Sequence, residues 1–161
     1  MKKYKNYTLQ EYVTSLSQRK PVPGGGSAAA LTAACGVALI SMVANYSKGR
    51  GNGKRVENKI NSIFKQSERI RTRLVELIDL DVQAYQAVVD ARAASSAVKK
   101  RALRRAAKVP DEVSRLCYKA AQLASYLVEK GNPNLVSDIV VASDLLLAAF
   151  SSARVNVEVN Q

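Results

Sequence analysis

Residues 54–93 read KRVENKINSIFKQSERIRTRLVELIDLDVQAYQAVVDARA, forty positions with neither proline nor glycine. Ile60, Ser67, Leu74, Asp81 and Val88 form one column at seven-residue spacing. Ile63, Ile70, Leu77, Ala84 and Ala91 form a second, and Lys65, Arg69, Arg71 and Arg73 flank the pair. Two mostly apolar columns at that interval are one face of a long helix. The pattern predicts a helix from Lys54 to Ala93, longer than one small domain usually covers, and a second subunit is the simplest cover for the excess. Asp81 is the one formally charged residue in the stripe.

The rest of the chain divides around this helix. Thr8-Leu9-Gln10-Glu11 has the form of a capping box and predicts a helix from Leu9 to Ser17. Pro21 and Pro23 end it, and Gly24-Gly25-Gly26 follow, with Ser27 placed as the N-cap of the next helix. Ala28 to Tyr46 carries no charge and is rich in Ala, Ser, Thr and Gly. Its length approaches a membrane span, yet Thr32, Ser41 and Asn45 interrupt it and large aliphatics are few. A central helix among close neighbours is expected, and no membrane partner. Lys48 to Arg55 (KGRGNGKR) is a basic loop that lacks the spacing of a phosphate-binding P-loop.

Lys99 to Lys108 is a second basic helical stretch, and Val109-Pro110-Asp111-Glu112 opens another helix with acids in its first turn. Gly131 suits a helix stop, Asn132-Pro133-Asn134 a turn, and Leu135 to Arg154 a last helix. Residues 156–160 are too short to assign. No strand pattern or tandem repeat stands out. The expected fold is all-α: one domain over residues 1–161, an antiparallel bundle of long helices completed by homodimerisation.

Composition narrows the chemistry. Lys and Arg number 25 against 13 Asp and Glu, a net charge of +12, and histidine is absent. Imidazole mechanisms and His-ligated zinc are therefore excluded. Cys35 and Cys117 alone cannot hold a zinc ion, and both fall in apolar helical patterns as small reduced core residues. With no apolar leader after the basic N-terminus, a cytoplasmic setting is expected. Acid–base work must fall to Asp, Glu, Tyr, Lys or backbone.

The positive charge is concentrated. Residues 48–73 and 92–119 each hold nine basic and two acidic residues. Such segments attract an anionic partner or serve solubility. Aromatics are only 6% and no nucleic-acid-binding motif is present, so nucleic acid is the weaker reading.

Four places could carry chemistry. Pro23-Gly24-Gly25-Gly26-Ser27 at a helix start would let a ligand approach backbone N–H groups, or is a plain turn. Asp81 on a buried stripe would have a raised pKa suited to a general acid, or is a core acid paired with an arginine. Ser137 and Asp138 open the last helix, where acids are favoured by the dipole alone, and Asn134 precedes them. The basic surface is the fourth. Asp144, Asn156 and Asn160 are polar positions without a distinctive pattern.

Several segments together resemble the formiminotetrahydrofolate cyclodeaminase and methenyltetrahydrofolate cyclohydrolase family. They are Pro23 to Ser27 with the Ala-rich helix and Met42-Val43-Ala44, then Asp81-Val82-Gln83-Ala84-Tyr85, then Ala107-Lys108-Val109-Pro110. Gly131-Asn132, Ser137-Asp138 and Asn156-Val157 with Asn160 follow in the same order.

The resemblance implies a homodimeric, all-helical enzyme acting on a tetrahydrofolate derivative, with no cofactor or metal required. It places the catalytic acid on Asp81 and lines the folate site with Pro23, Gly24, Gly25, Gly26 and Ser27. Asn134, Ser137 and Asp138 would be polar pocket residues, and the basic segments would attract the folate's glutamate tail, polyglutamylated forms included. Family members usually continue into a further C-terminal helix with no counterpart after Gln161. A basic nucleic-acid-binding protein and a non-catalytic dimeric folate-binding relative are the alternatives.

Overall fold

The computed structural model describes residues 3–51 and 53–160. Six α-helices follow in order: α1 Leu9–Ser17, α2 Gly25–Tyr46, α3 Lys54–Asp90, α4 Ser96–Ala106, α5 Lys108–Lys130 and α6 Val136–Val159. Short 3-10 turns span Tyr4–Asn6, Ala91–Ala93 and Pro133–Leu135. No strand occurs among the described residues. Asn52 of the basic loop lies outside them.

α2 is the axis of the bundle and packs against α3, α5 and α6. Its small side chains are the reason. Ala29, Ala30, Ala33, Ala34, Val37, Ile40, Val43 and Ala44 are all buried. A Cβ on Gly36 would lie 3.1 Å from the Ala142 carbonyl oxygen and 3.1 Å from Leu146 Cγ. The glycine is thus what lets α6 come this close. Ile60, Ile63, Leu74 and Leu77 of α3 seal the opposite side, as the two columns predict.

By length and composition α2, and the stretch Pro133–Val159, could each cross a membrane, with mean hydropathy 1.9 and 1.7. In α2 the apolar residues sit largely within the bundle. In α6, 22% of the apolar window is buried, and Val140, Val141, Leu147 and Phe150 are exposed.

Four expectations need correction. α2 starts at Gly25 with Gly24 as its N-cap, three residues ahead of the expected Ser27 cap: Ser27 lies inside the helix with its hydroxyl committed to Tyr12. Cys117 is buried, but Cys35 is exposed, on the strip of α2 that no other helix covers. The α3 helix ends at Asp90, and the Ala91–Ala93 turn carries the chain into α4. α6 runs on to Val159 because Asn156 and Asn160 donate their side-chain amides to the Ser152 and Asn156 carbonyls, each at 2.8 Å. Those bonds supply main-chain acceptors with partners at a fraying end.

Candidate active site

The start of α2 is short of hydrogen-bond acceptors. Gly24 has no side chain to cap the helix, and its backbone is extended (φ −130°). The acceptor comes instead from another helix. Asp81 of α3 sets its carboxylate against this end and accepts a hydrogen bond from the Ser27 backbone N–H. The fit depends on Gly26, where a Cβ would lie 2.6 Å from Asp81 Cγ and 2.9 Å from Oδ2. No other residue type permits this approach.

Asp81 is half-buried. Burial pushes its carboxyl above the usual carboxylate range, and the Ser27 N–H opposes the shift without cancelling it. A half-buried acid with a raised pKa, beside free glycine backbone at the positive end of a helix, can exchange a proton with a bound ligand.

Three further elements close around this point. Tyr12 of α1 is buried, and its hydroxyl lies 2.9 Å from Ser27 Oγ. Burial holds that hydroxyl above the ordinary tyrosine range. Asn156 of α6 brings its amide to Gly25, 3.8 Å from where a Cβ would stand. Tyr4 donates its hydroxyl to the Val22 carbonyl at 3.1 Å, just before the cis Val22–Pro23 bond that leads into the glycines.

Tyr4 is itself held by Asp79. The Tyr4 N–H donates to Asp79 Oδ1 at 2.7 Å, while Oδ2 is buried without a partner. Asp79 is the most deeply buried charged residue described, 8% exposed. Its sequence signal was the acid two positions before Asp81. It falls outside both heptad columns, because it faces the N-terminal turn rather than the bundle. Tyr12 gave no signal beyond an aromatic residue in a short capped helix.

The sequence-predicted residues divide into two groups. Pro23, Gly24, Gly25, Gly26, Ser27 and Asp81 lie together at the N-terminal end of α2. Asn134, Ser137 and Asp138 lie at its other end, where the Asn132 N–H donates to Ser47 Oγ at 2.8 Å. Twenty-two helical residues of α2 separate the groups, about 33 Å at 1.5 Å per residue. Within one chain they do not form one pocket. Asn134 and Ser137 are exposed and Asp138 is partly so. Among the described residues no cluster of His, Cys, Asp and Glu is arranged to hold a metal ion.

The sequence model of the family described as formiminotransferase-cyclodeaminase matches residues 8–161, including every residue of the α2 cluster. The chain belongs to this family. A methenyltetrahydrofolate cyclohydrolase from Methylorubrum extorquens is 37% identical over 96% of this chain and 79% of its own length. The rat formimidoyltransferase-cyclodeaminase is 28% identical, and the match covers 95% of this chain but 30% of that protein. Among solved structures, the formiminotetrahydrofolate cyclodeaminase of Thermotoga maritima superposes with a TM-score of 0.93 at 35% identity, covering 96% of this chain and 78% of that one.

Proposed function

We propose that this chain is an enzyme of the N5/N10 one-carbon bridge of tetrahydrofolate, a methenyltetrahydrofolate cyclohydrolase, with Asp81 as general acid and base. The observation that carries the reading is the Asp81 carboxylate seated on Gly26 and bonded by the Ser27 N–H. It puts a proton-exchanging group beside open backbone donors. The 37% identity to a cyclohydrolase supports the substrate class.

The steps balance with one carboxyl. Asp81 as carboxylate takes a proton from water as its oxygen bonds to the methenyl carbon. The resulting carbinolamine is tetrahedral. Asp81 as acid returns the proton to N5 as the C–N5 bond breaks, and the hydroxyl proton leaves to solvent, giving the 10-formyl product. The proposed steps call for no metal or cofactor. Gly24 to Gly26 allow the pterin close to the backbone, Asn156 supplies an amide at the rim, and fixed placement contributes alongside proton transfer.

A cyclodeaminase is the second reading, favoured by the Thermotoga maritima match. There N10 attacks the formimino carbon on N5 and ammonia leaves, again through a tetrahedral carbon that needs one proton moved.

The active unit is proposed to be a homodimer. The exposed Val140, Val141, Leu147 and Phe150 of α6 give an apolar face that a second copy covers by meeting it across a two-fold axis. Light scattering of the purified protein checks this.

Ultraviolet absorbance with methenyltetrahydrofolate, then with 5-formiminotetrahydrofolate, tests the reaction. Loss of the methenyl band supports the cyclohydrolase, and its appearance from the formimino compound the cyclodeaminase. Asp81→Asn is expected to lower turnover about 10²- to 10⁴-fold with folate binding retained. Wild-type turnover in that variant removes Asp81 from the reaction. Folate binding without turnover points to a binding relative, and steeply salt-dependent binding of any nucleic acid with no folate binding overturns the reading.

A further inference from the structure

The reaction steps leave two buried hydroxyls beside Asp81 unused, those of Tyr12 and Ser27. Tyr12 is the one buried residue of α1, 5% exposed, while Leu9, Val13 and Leu16 of the same helix face outward. A single side chain is thus the main anchor of a nine-residue helix. A phenylalanine would fill the same space, so the hydroxyl needs its own account. It ends on Ser27 Oγ at 2.9 Å.

Ser27 is fully buried, and its hydroxyl has no other partner among the described residues. The same residue donates its backbone N–H to the Asp81 carboxylate. Ser27 therefore links the two groups: Tyr12 holds its side chain and Asp81 its main chain. Both contacts fall in the first turn of α2, where no side chain caps the helix and few bonds keep the turn in register.

Tyr12 is itself held firmly. Its ring meets Tyr4 edge-on, with centroids 6.4 Å apart at 88°. Tyr4 is pinned at its N–H by Asp79 and at its hydroxyl by the Val22 carbonyl. A ring packed against a pinned ring has little freedom to turn. Burial, with Asp81, Asp79 and Tyr4 adding to it, keeps the Tyr12 hydroxyl above the ordinary tyrosine range, so it stays neutral and acts by hydrogen bonding. Around Asp81 the titratable neighbours are thus Tyr12 from α1, Asp79 from its own helix and Tyr4 from the first turn. α2 has no charged residue, and α6 presents the Asn156 amide.

We propose that Tyr12 is a positioning residue for Asp81: acting through the Ser27 hydroxyl, it fixes the first turn of α2 so that the Ser27 N–H stays on the Asp81 carboxylate. The inference rests on the reading of Asp81 as the proton-transfer group. Without the tyrosine hydroxyl, Ser27 Oγ is buried with no partner, and the turn shifts to find it one. Asp81 then loses its fixed aim at the substrate.

The test follows methenyltetrahydrofolate turnover across pH, and the carbon-13 signal of the Asp81 carboxyl in an NMR titration, assigned with Asp81→Asn. The variants are Tyr12→Phe, Ser27→Ala and the two combined, with Tyr118→Phe on the exposed face of α5 as control. Tyr12→Phe keeps the ring and its packing, so the fold is expected to survive.

Tyr12→Phe should lower kcat roughly tenfold and leave KM within about twofold, because a displaced acid loses alignment and not affinity. The Ser27 N–H opposes the raised Asp81 pKa, so loosening it moves the Asp81 titration, and the acid limb of kcat/KM, to higher pH. Ser27→Ala should match it, and the double variant should be no worse than either single one, since all three remove the same contact. Tyr118→Phe should change nothing. An unmoved or lowered Asp81 titration in Tyr12→Phe overturns the positioning role, whatever happens to kcat, and leaves the enzyme reading intact. Losses that multiply in the double variant overturn it as well, since the two hydroxyls then act separately. A wild type that turns over neither the methenyl nor the formimino folate removes the enzyme reading. The Asp81 titration then still decides the positioning role, shifted upward in support of it and unmoved against it.

Discussion

Gly26→Ala is the substitution that interrogates the site most directly. The added methyl would stand 2.6 Å from Asp81 Cγ, a separation no packed carbon tolerates, so the carboxylate must swing away. The Ser27 N–H then loses its partner in a buried setting, which costs about 1–3 kcal/mol. Rehydration of the freed carboxylate offsets part of this, and alanine in a helix returns up to about 1 kcal/mol over glycine. The net loss is about 1 kcal/mol, or about 2–4 °C in Tm for a domain of this size. Turnover should fall far more, about 10²- to 10⁴-fold, because the acid no longer faces the substrate. Gly25→Ala is the matched control: its methyl meets only the Asn156 amide, at 3.8 and 3.9 Å, an ordinary contact. Its Tm should hold or rise slightly. Calorimetry and the methenyl absorbance assay read both variants. Gly26→Ala with wild-type Tm and turnover would refute the placement of Asp81 against the glycine turn.

Three other outcomes follow from the same packing. Because burial raises the Asp81 pKa, the folded state binds more protons than the unfolded chain between the ordinary and the raised value. Stability should therefore fall as pH rises through that window, and urea unfolding of Asp81→Asn should lack this part of the slope; an unchanged slope assigns it elsewhere. Asp79→Ala leaves the Tyr4 N–H without its acceptor and loosens the turn above Val22, with an expected loss of about 1–3 kcal/mol in chemical denaturation. A smaller loss than that of a surface Asp90→Ala control would show that Asp79 does not hold the turn. Cys35 should react readily with a thiol reagent in the folded protein, while Cys117, 2% exposed and with its thiol pushed up to about 11, should react only on unfolding. Equal labelling rates would contradict the packing of α5.

Much of the fold is written in local patterns. The capping box at Thr8 and Glu11 forms as read, with both bonds made. Through Leu77 the columns of α3 are buried except at Ile70, which is partly covered, because each faces a neighbouring helix. Farther along, Ala84 and Val88 are only partly covered, since α3 outruns the rest of the bundle there. Cys35 shows the limit of composition: α2 is apolar on every side, so its sequence does not say which strip stays open. The site divides in the same way. Glycines before a helix and an acid on an apolar stripe are local signals, and their contact is a tertiary fact that required knowing α2 and α3 to be neighbours. The Asp79–Tyr4 bond spans 75 residues and has no local signature. The segment holding Asn134, Ser137 and Asp138 reads as polar, but nothing local says which end of the central helix it occupies.

The borrowed acceptor at the head of α2 has a consequence for anyone wishing to toughen this protein. Gly24 sits in an extended conformation with open space where a Cβ would go, so Gly24→Ser or Gly24→Asp could cap the helix in the ordinary way. Such a cap is worth about 0.5–2 kcal/mol elsewhere. Here it would compete with Asp81 for the same N–H groups and put a side chain where the backbone stands bare. Heat tolerance and turnover should move in opposite directions in that variant, a trade set by one helix end doing two jobs.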